Sequence, residues 1–373
     1  MAASVMSASV AARDDPLRLA TPLPARVSTE LAEFLDEHTE LLLSLHPDLA
    51  LLADAARASV LDGGKRLRPT FAYWGWRSVQ PEDAAGEPHL IRAASSLELL
   101  QACALVHDDL MDGSDTRRGQ PAAHVRFDQL HRAQRWPGSA ASFGAAGAIL
   151  LGDLLLSWAE EMFTGAISQL EAARTAAAER EFDLMRTEVV AGQFLDVLAQ
   201  TRGGFDPDEA LRVIRFKTSK YTVQRPLLLG AGAAGATDAL LARLSDYGHA
   251  VGEAFQLRDD LLGVFGDPAE TGKPAGDDLR EGKRTLLVAL AVQAASTEQR
   301  SVLLAGIGNP ELTEDEVERL QAVLRATGAP DRLEHRIVAR SREASDCLAG
   351  GLLLPAAHEA LLELAHTVTQ RSF

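Results

Sequence analysis

The stretch 97–119, LELLQACALVHDDLMDGSDTRRG, sets three aspartates, Asp108, Asp109 and Asp112, into an otherwise apolar run. A spacing of i and i+4 puts Asp108 and Asp112 one above the other on a single helix face. Charges of one sign so stacked repel, and bare charge in apolar surroundings is costly unless paired or metal-bound. Magnesium takes oxygen ligands, keeps several waters, and is usually held by one or two carboxylates together with the phosphates of a substrate. A second acidic pair, Asp259 and Asp260, stands in FQLRDDLLGVFGD at 255–267, again among apolar residues. A lone acidic triplet is more often a solvated helix face or a cap. Two of them in apolar runs, each followed by basic residues, point instead to a cage for a metal-bound diphosphate.

The cations around these motifs fit the same chemistry. The chain has only five lysines among its 37 Lys and Arg residues: Lys65, Lys217, Lys220, Lys273 and Lys283. A mobile ammonium with three donors suits a diphosphate in a way that the fixed fork of Arg does not. In GGKRLRP (63–69), Lys65, Arg66 and Arg68 follow two glycines, which let backbone amides approach an anion closely. Arg117 and Arg118 follow the first motif and suit phosphate oxygens; the plainer reading is that they neutralise the aspartates. His107 reads as a packed or hydrogen-bonding residue rather than a catalyst.

Helical periodicity dominates from a capping pattern at Ser28 onward, with runs at 90–112, 145–165, 166–200, 207–233, 237–262, 284–297, 313–327 and 331–369. No strand is expected, so the fold class is all-α. The pattern breaks at 61–69, at 131–142, and in the Gly/Pro-rich stretch 266–285, which is long enough to act as a lid. Residues 1–28, rich in Ala and Ser, read as a flexible tail, and 29–373 as one domain. Hydrophobic residues make up 46% and aromatics 5%, a balance that suits a helical globular enzyme. No run is expected to reach the roughly 18 apolar residues that span a bilayer. Two cysteines in so long a chain supply no disulfide framework and fit a reducing cytoplasm. A net charge of −16 speaks against nucleic acid as a partner.

With both acidic motifs, GGKRLRP, DGSDTRRG, FKT and GKRT in this order, the chain resembles the trans-isoprenyl diphosphate synthases over about residues 30–370. The resemblance implies the isoprenoid synthase fold, antiparallel helices around a deep central cavity, usually as a homodimer. It implies a magnesium-dependent enzyme, with about three ions per substrate-loaded site, that joins an allylic diphosphate to isopentenyl diphosphate. By matching positions, Asp108, Asp112 and Asp259 are the expected metal ligands. Gly64, Lys65, Arg68 and Arg118 are expected to bind isopentenyl diphosphate. Arg117, Lys217, Lys273 and Lys283 are expected to hold the allylic diphosphate, with Thr218 and Gln256 beside the reacting carbons. Gln193 and Asp196, in AGQFLD, match a segment that faces the metal cluster. There are two departures. Gln101 stands where many bacterial members carry a His that contacts isopentenyl diphosphate. Gly263 replaces the third Asp of the second motif, which leaves Asp259 as its stronger ligand and the roles of Asp260 and Asp267 open.

In this mechanism the cations stabilise the departing diphosphate, the double bond of isopentenyl diphosphate attacks the carbocation, and diphosphate takes the proton. The growing chain is expected to run down the helix that carries Asp108, past Ala104 and Cys103, with Leu100 and Leu97 as floor. Each helical turn of about 5.4 Å takes up close to one isoprene unit. Small residues at the first level favour geranylgeranyl diphosphate as product. A longer-chain synthase, a terpene cyclase and a silent regulatory subunit are the alternatives. A cyclase needs no second diphosphate pocket, and a silent subunit needs no intact motifs.

Overall fold

The computed structural model describes residues 23–267 and 276–369. Lys273 and most of the expected tail lie outside this range, but residues 23–28 are already helical. The first helix, α1 (Leu23–Leu45), therefore starts ahead of the Ser28 cap, with Leu23 and Val27 buried on its inner face. A short helix, α2 (Ala50–Leu61), leads to the glycine turn and α3 (Leu67–Arg77).

At the centre lies α4 (Glu87–Asp112), which carries the first acidic motif at its C-terminal end. Pro88 begins it, and Gly113, at φ 68°, ends it in the left-handed conformation that glycine adopts without strain. Its buried residues occur all around its circumference, as befits a helix enclosed by others. A small hairpin follows, pairing β1 (Thr116–Arg117) with β2 (Gln120–Pro121). These two-residue strands are the exception to the all-helical expectation among the described residues.

Next come α5 (Ala123–Ala133), α6 (Ala140–Ile167) and α7 (Ala172–Arg202), with α6 packed along α4. The run expected at 207–233 divides into α8 (Pro207–Val213), a π-helix (Ile214–Gln224) and α9 (Arg225–Ala234). The π-helix packs between α7 and α10 (Asp238–Phe265), which carries the second acidic pair. After a short helix, α11 (Asp277–Arg280), the chain finishes with α12 (Leu286–Ala294), α13 (Thr297–Gly306), α14 (Glu314–Ala326), α15 (Ala329–Cys347) and α16 (Pro355–Thr369). The expected 331–369 helix is thus two, parted at Gly350–Gly351, both at positive φ.

Two apolar cores hold these elements. The larger joins α1–α7 and α9 to α16 and includes Phe71, Tyr73, Leu97, Leu155, Phe163 and Phe182. The smaller joins the C-terminal half of α10 to α11–α15 through Leu257, Leu261, Leu287, Leu320 and Leu333. Burial of each such leucine contributes about 1.5–3 kcal/mol.

By length and composition α6 could cross a membrane, with a mean hydropathy of 1.6 over an 18-residue window that is 28% buried. Asp153 interrupts it, so the run is not free of charge. Ile149 and Leu150, 48% and 61% exposed, lie on its outward face.

Candidate active site

The face of α4 that bears Gln101, Ala104, Leu105 and Asp108 forms one wall of a cavity of about 870 Å³. Asp108 Oδ1 accepts hydrogen bonds from Gln193 Nε2 at 2.7 Å and Lys217 Nζ at 3.0 Å. Lys217 also donates to Asp196 Oδ2 at 2.6 Å, which ties α4, α7 and the π-helix together. Burial pushes the Asp108 carboxyl up, but Lys217, Lys283 and Arg117 outweigh it and hold it below the usual range. Asp112, one turn later, has no such partner. Burial, with the charge of Asp108 beside it, pushes its carboxyl up to about 6. Asp109 points elsewhere, buried and bonded to Arg117 Nε at 2.8 Å. Arg117 therefore neutralises an aspartate, as the plainer sequence reading had it, and still lines the cavity.

The opposite wall comes from α10 and the π-helix. Asp259, Asp260, Gln256 and Phe255 face the cavity from α10. Gln256 Nε2 donates to Asp260 Oδ1 at 2.7 Å, while Oδ2 of the buried Asp260 has no hydrogen-bond partner. Burial is the main force that pushes the Asp260 carboxyl up to about 8. Lys217, Thr218, Tyr221 and Thr222 all line the cavity. The wider turn of the π-helix gathers residues at i, i+1, i+4 and i+5 onto one face, as π-helical segments at functional sites do.

Closing one side, Lys283 Nζ bonds Asp278 Oδ1 at 3.1 Å and Glu281 Oε2 at 2.7 Å. Both acids outweigh burial and hold the lysine well above its ordinary value. Ser114, just past the first motif, donates to Glu281 Oε1 at 2.9 Å, so the loops that follow the two acidic motifs touch.

The cationic turn lies at another edge. Gly63 and Gly64 have φ of 84° and 106°, which a side chain would strain. A Cβ on Gly64 would also stand 3.1 Å from Nη2 of Arg118. Lys65 and Arg68 line the cavity, while Arg118 sits behind them and donates to the Asp62 carbonyl at 2.8 Å. Arg66, grouped with these cations in the sequence, is instead buried in an ion pair with Glu98 at 2.7 Å and anchors the turn to α4.

Some expectations need correction. Of the four residues taken for the product channel, Ala104 lines the cavity. Cys103, Leu100 and Leu97 are buried in the larger core and do not. Cys103 lies 3.9 Å from His107 Nδ1, and His107 packs on α6 with Nε2 at 3.2 Å from the Ile149 carbonyl. Lys220 pairs with Glu188, which Arg225 also binds, and does not line the cavity. Tyr221 was missed: its ring lies 4.3 Å beneath the Arg68 guanidinium, whose Nη2 donates to Thr222 Oγ1 at 2.8 Å. The string KTSKYT offered that tyrosine, but only its burial reveals the contact.

The site offers the hard oxygen donors that magnesium takes, and Oδ2 of the buried Asp260 has no hydrogen-bond partner. Among the described residues no three acidic, His or Cys side chains stand close enough to hold an ion by themselves, so the phosphate oxygens of a substrate would complete the ligand set.

The polyprenyl synthetase family model matches residues 49–324. A geranylgeranyl pyrophosphate synthase from Corynebacterium glutamicum, solved with isoprenyl diphosphate and magnesium, superposes with a TM-score of 0.90 at 40% identity, covering 94% of this chain and 99% of that one. A geranylfarnesyl diphosphate synthase from Aeropyrum pernix is 32% identical over 88% of this chain and 96% of its own length. Octaprenyl diphosphate synthase from Escherichia coli is 32% identical over 89% of this chain and 93% of its own.

Proposed function

The chain belongs to the polyprenyl synthetase family and is a prenyltransferase, and on that premise we propose that it condenses an allylic diphosphate with isopentenyl diphosphate to give geranylgeranyl diphosphate. The observation that carries this reading is one cavity lined by Asp108 of the first acidic motif, by Asp259 and Asp260 of the second, and by cations both from the glycine turn, Lys65 and Arg68, and from elsewhere, Lys217 and Lys283. A cyclase would need only one such group.

Asp108, Asp112 and Asp259 would hold magnesium, about three ions with substrate bound, which supplies Lewis-acid stabilisation to the departing diphosphate. Lys217 and Lys283 each bond acidic side chains at present. Both would exchange those bonds for oxygens of the allylic diphosphate, joined by Arg117 and, from outside the described residues, Lys273. Lys65 and Arg68 would hold the second diphosphate, with Gly64 and Arg118 shaping the pocket behind them. Tyr221 and Thr222 keep the Arg68 fork aimed there. Gln101, whose buried Oε1 has no partner, adds a neutral polar contact at the same edge. Thr218 and Gln256 would flank the reacting carbons. The released diphosphate, already fixed by these cations, takes the proton. Ala104, too small to block the wall, leaves the chain room to grow beyond fifteen carbons.

A second copy of the chain is the proposed partner. Ile149 and Leu150 on α6, with Leu184, Val190 and Phe194 on α7, are large apolar residues exposed on adjacent helices. Cytoplasmic placement is proposed from the two free cysteines, Cys103 and Cys347. The activity is tested by incubating the purified protein with magnesium, isopentenyl diphosphate and each allylic primer in turn. Geranylgeranyl diphosphate is the expected mass, a longer product overturns the chain length, and no incorporation overturns the activity.

A further inference from the structure

Glycine inside a helix is unfavourable, yet Gly192 stands buried within α7. What it adjoins gives a reason. A Cβ there would lie 2.4 Å from the backbone nitrogen of Lys217 and 2.8 Å from its Cα, closer than real Cβ atoms come. The obstacle is the main chain of the π-helix, which cannot swing aside as the end of a side chain can. A π-helix is wider than an α-helix, and a neighbour without a side chain lets its backbone come this close.

Residues one turn to either side, on the same face of α7, grip the same segment. Glu188, four positions earlier, accepts from Lys220 Nζ and takes Nε and Nη2 of Arg225 at 2.7 and 2.8 Å. Asp196, four positions later, accepts from Lys217 Nζ at 2.6 Å. The three form a seam: Glu188 pins the segment, Gly192 admits its backbone, and Asp196 holds the ammonium. Lys217 is thereby fixed at both ends, its backbone against Gly192 and its Nζ between Asp196 and Asp108. We propose that Gly192 is a positioning residue for Lys217: its missing side chain sets how closely the π-helix lies against α7, and so where the ammonium stands in the cavity. Any side chain at position 192 moves the Lys217 backbone away from α7 and draws Nζ off both aspartates.

This role rests on the prenyltransferase reading, in which Lys217 holds the allylic diphosphate. Its test compares the wild type with Gly192→Ala, Glu188→Gln, Lys217→Ala and the double variant Gly192→Ala/Lys217→Ala. Gly144→Ala serves as a packing control, because its Cβ would stand 2.4 Å from the His124 carbonyl oxygen and neither residue lines the cavity. Thermal midpoint, kcat and the Michaelis constant for each substrate are read. Gly192→Ala should lower kcat by up to roughly 100-fold, as a misplacement of about 1 Å does, and raise the allylic constant while that for isopentenyl diphosphate stays unchanged. Gly144→Ala should lower the midpoint alone. On a Lys217→Ala background the added alanine should cost little further turnover, since its effect runs through the missing ammonium. A Lys217→Ala protein with no measurable transfer moves that comparison to the rise in midpoint brought by magnesium chloride with inorganic pyrophosphate, where the same non-additivity is expected. Glu188→Gln loosens the seam without overfilling it and should raise the same allylic constant, which keeps the test open if Gly192→Ala does not fold. A folded Gly192→Ala protein with wild-type kcat and allylic constant overturns the role. So does a full further loss on the Lys217→Ala background, or a Glu188→Gln protein with an unchanged allylic constant. A wild type without prenyl transfer would instead overturn the reading of the activity.

Discussion

At the scale of single residues, the proposed chemistry rests on Asp108 and Asp259, which line the cavity from two different helices. Asp108→Ala or Asp259→Ala should abolish turnover while the circular dichroism of the fold is unchanged, since each removes a proposed ligand where substrate completes the set. Retention of more than a tenth of the activity would contradict the metal assignment. Lys65→Ala and Arg68→Ala should raise the apparent constant for isopentenyl diphosphate roughly 10- to 100-fold, because a charged hydrogen bond to phosphate is worth about 1.5–3 kcal/mol. Steady-state kinetics with each substrate varied separately checks this, and equal effects on both would place the turn at the wrong diphosphate. Ala104→Phe should put a ring into the cavity wall and stop growth near fifteen carbons, read by product mass. Cys103→Phe should act differently. With Cys103 packed in the core, it should cost stability rather than shorten the product. Most of this site could be read from sequence because an aspartate in an apolar run is a local anomaly. Arg66 and Lys220 could not be sorted from Lys65 and Lys217 that way. Only tertiary packing gives the first two their acidic partners, Glu98 and Glu188.

Among the elements, long helices with one apolar face were legible and short ones were not. The helices α2, α3, α5, α11 and α13 are not marked in the sequence, since too few turns leave periodicity undefined, and α3 is buried over almost its whole surface. The periodicity also runs the π-helix into a single 207–233 helix, because a change of hydrogen-bond register leaves no mark in composition. The junction of α10 and α15 depends on another feature hidden from sequence. Glu253, 4% exposed, accepts from Arg336 Nε at 2.6 Å and Arg340 Nε at 3.0 Å. Burial pushes its carboxyl up, but the two guanidinium groups outweigh this and hold it below 4.5. A depressed acid stabilises fully above its unfolded value and loses that contribution as the pH falls through its folded value. Glu253→Gln should therefore destabilise by about 1–3 kcal/mol at pH 7, the cost of leaving its partners unmatched. The gap from wild type in urea melts should narrow as the pH drops below 4.5. A constant gap would remove the ion pair as its cause.

For the molecule as a whole, the exposed apolar residues of α6 and α7 suggest an interface that a single chain leaves open. Leu150→Glu with Phe194→Glu should convert a dimer to a monomer in light scattering, with the helical content kept. A wild type that already runs as a monomer would refute the assembly. Any such experiment must reckon with where the amines are. No lysine lies on α6 or α7, and Lys65, Lys217 and Lys283 open into the cavity. Lys217 and Lys283 stay protonated beside their acids, with affinities for the proton raised above the ordinary. A protonated ammonium is a poor nucleophile, so reagents that acylate amines find few targets on this protein. Amine-directed cross-linkers would find no lysine on the two helices of the proposed interface. Carboxylate-directed coupling, by contrast, has 53 acidic residues to draw on.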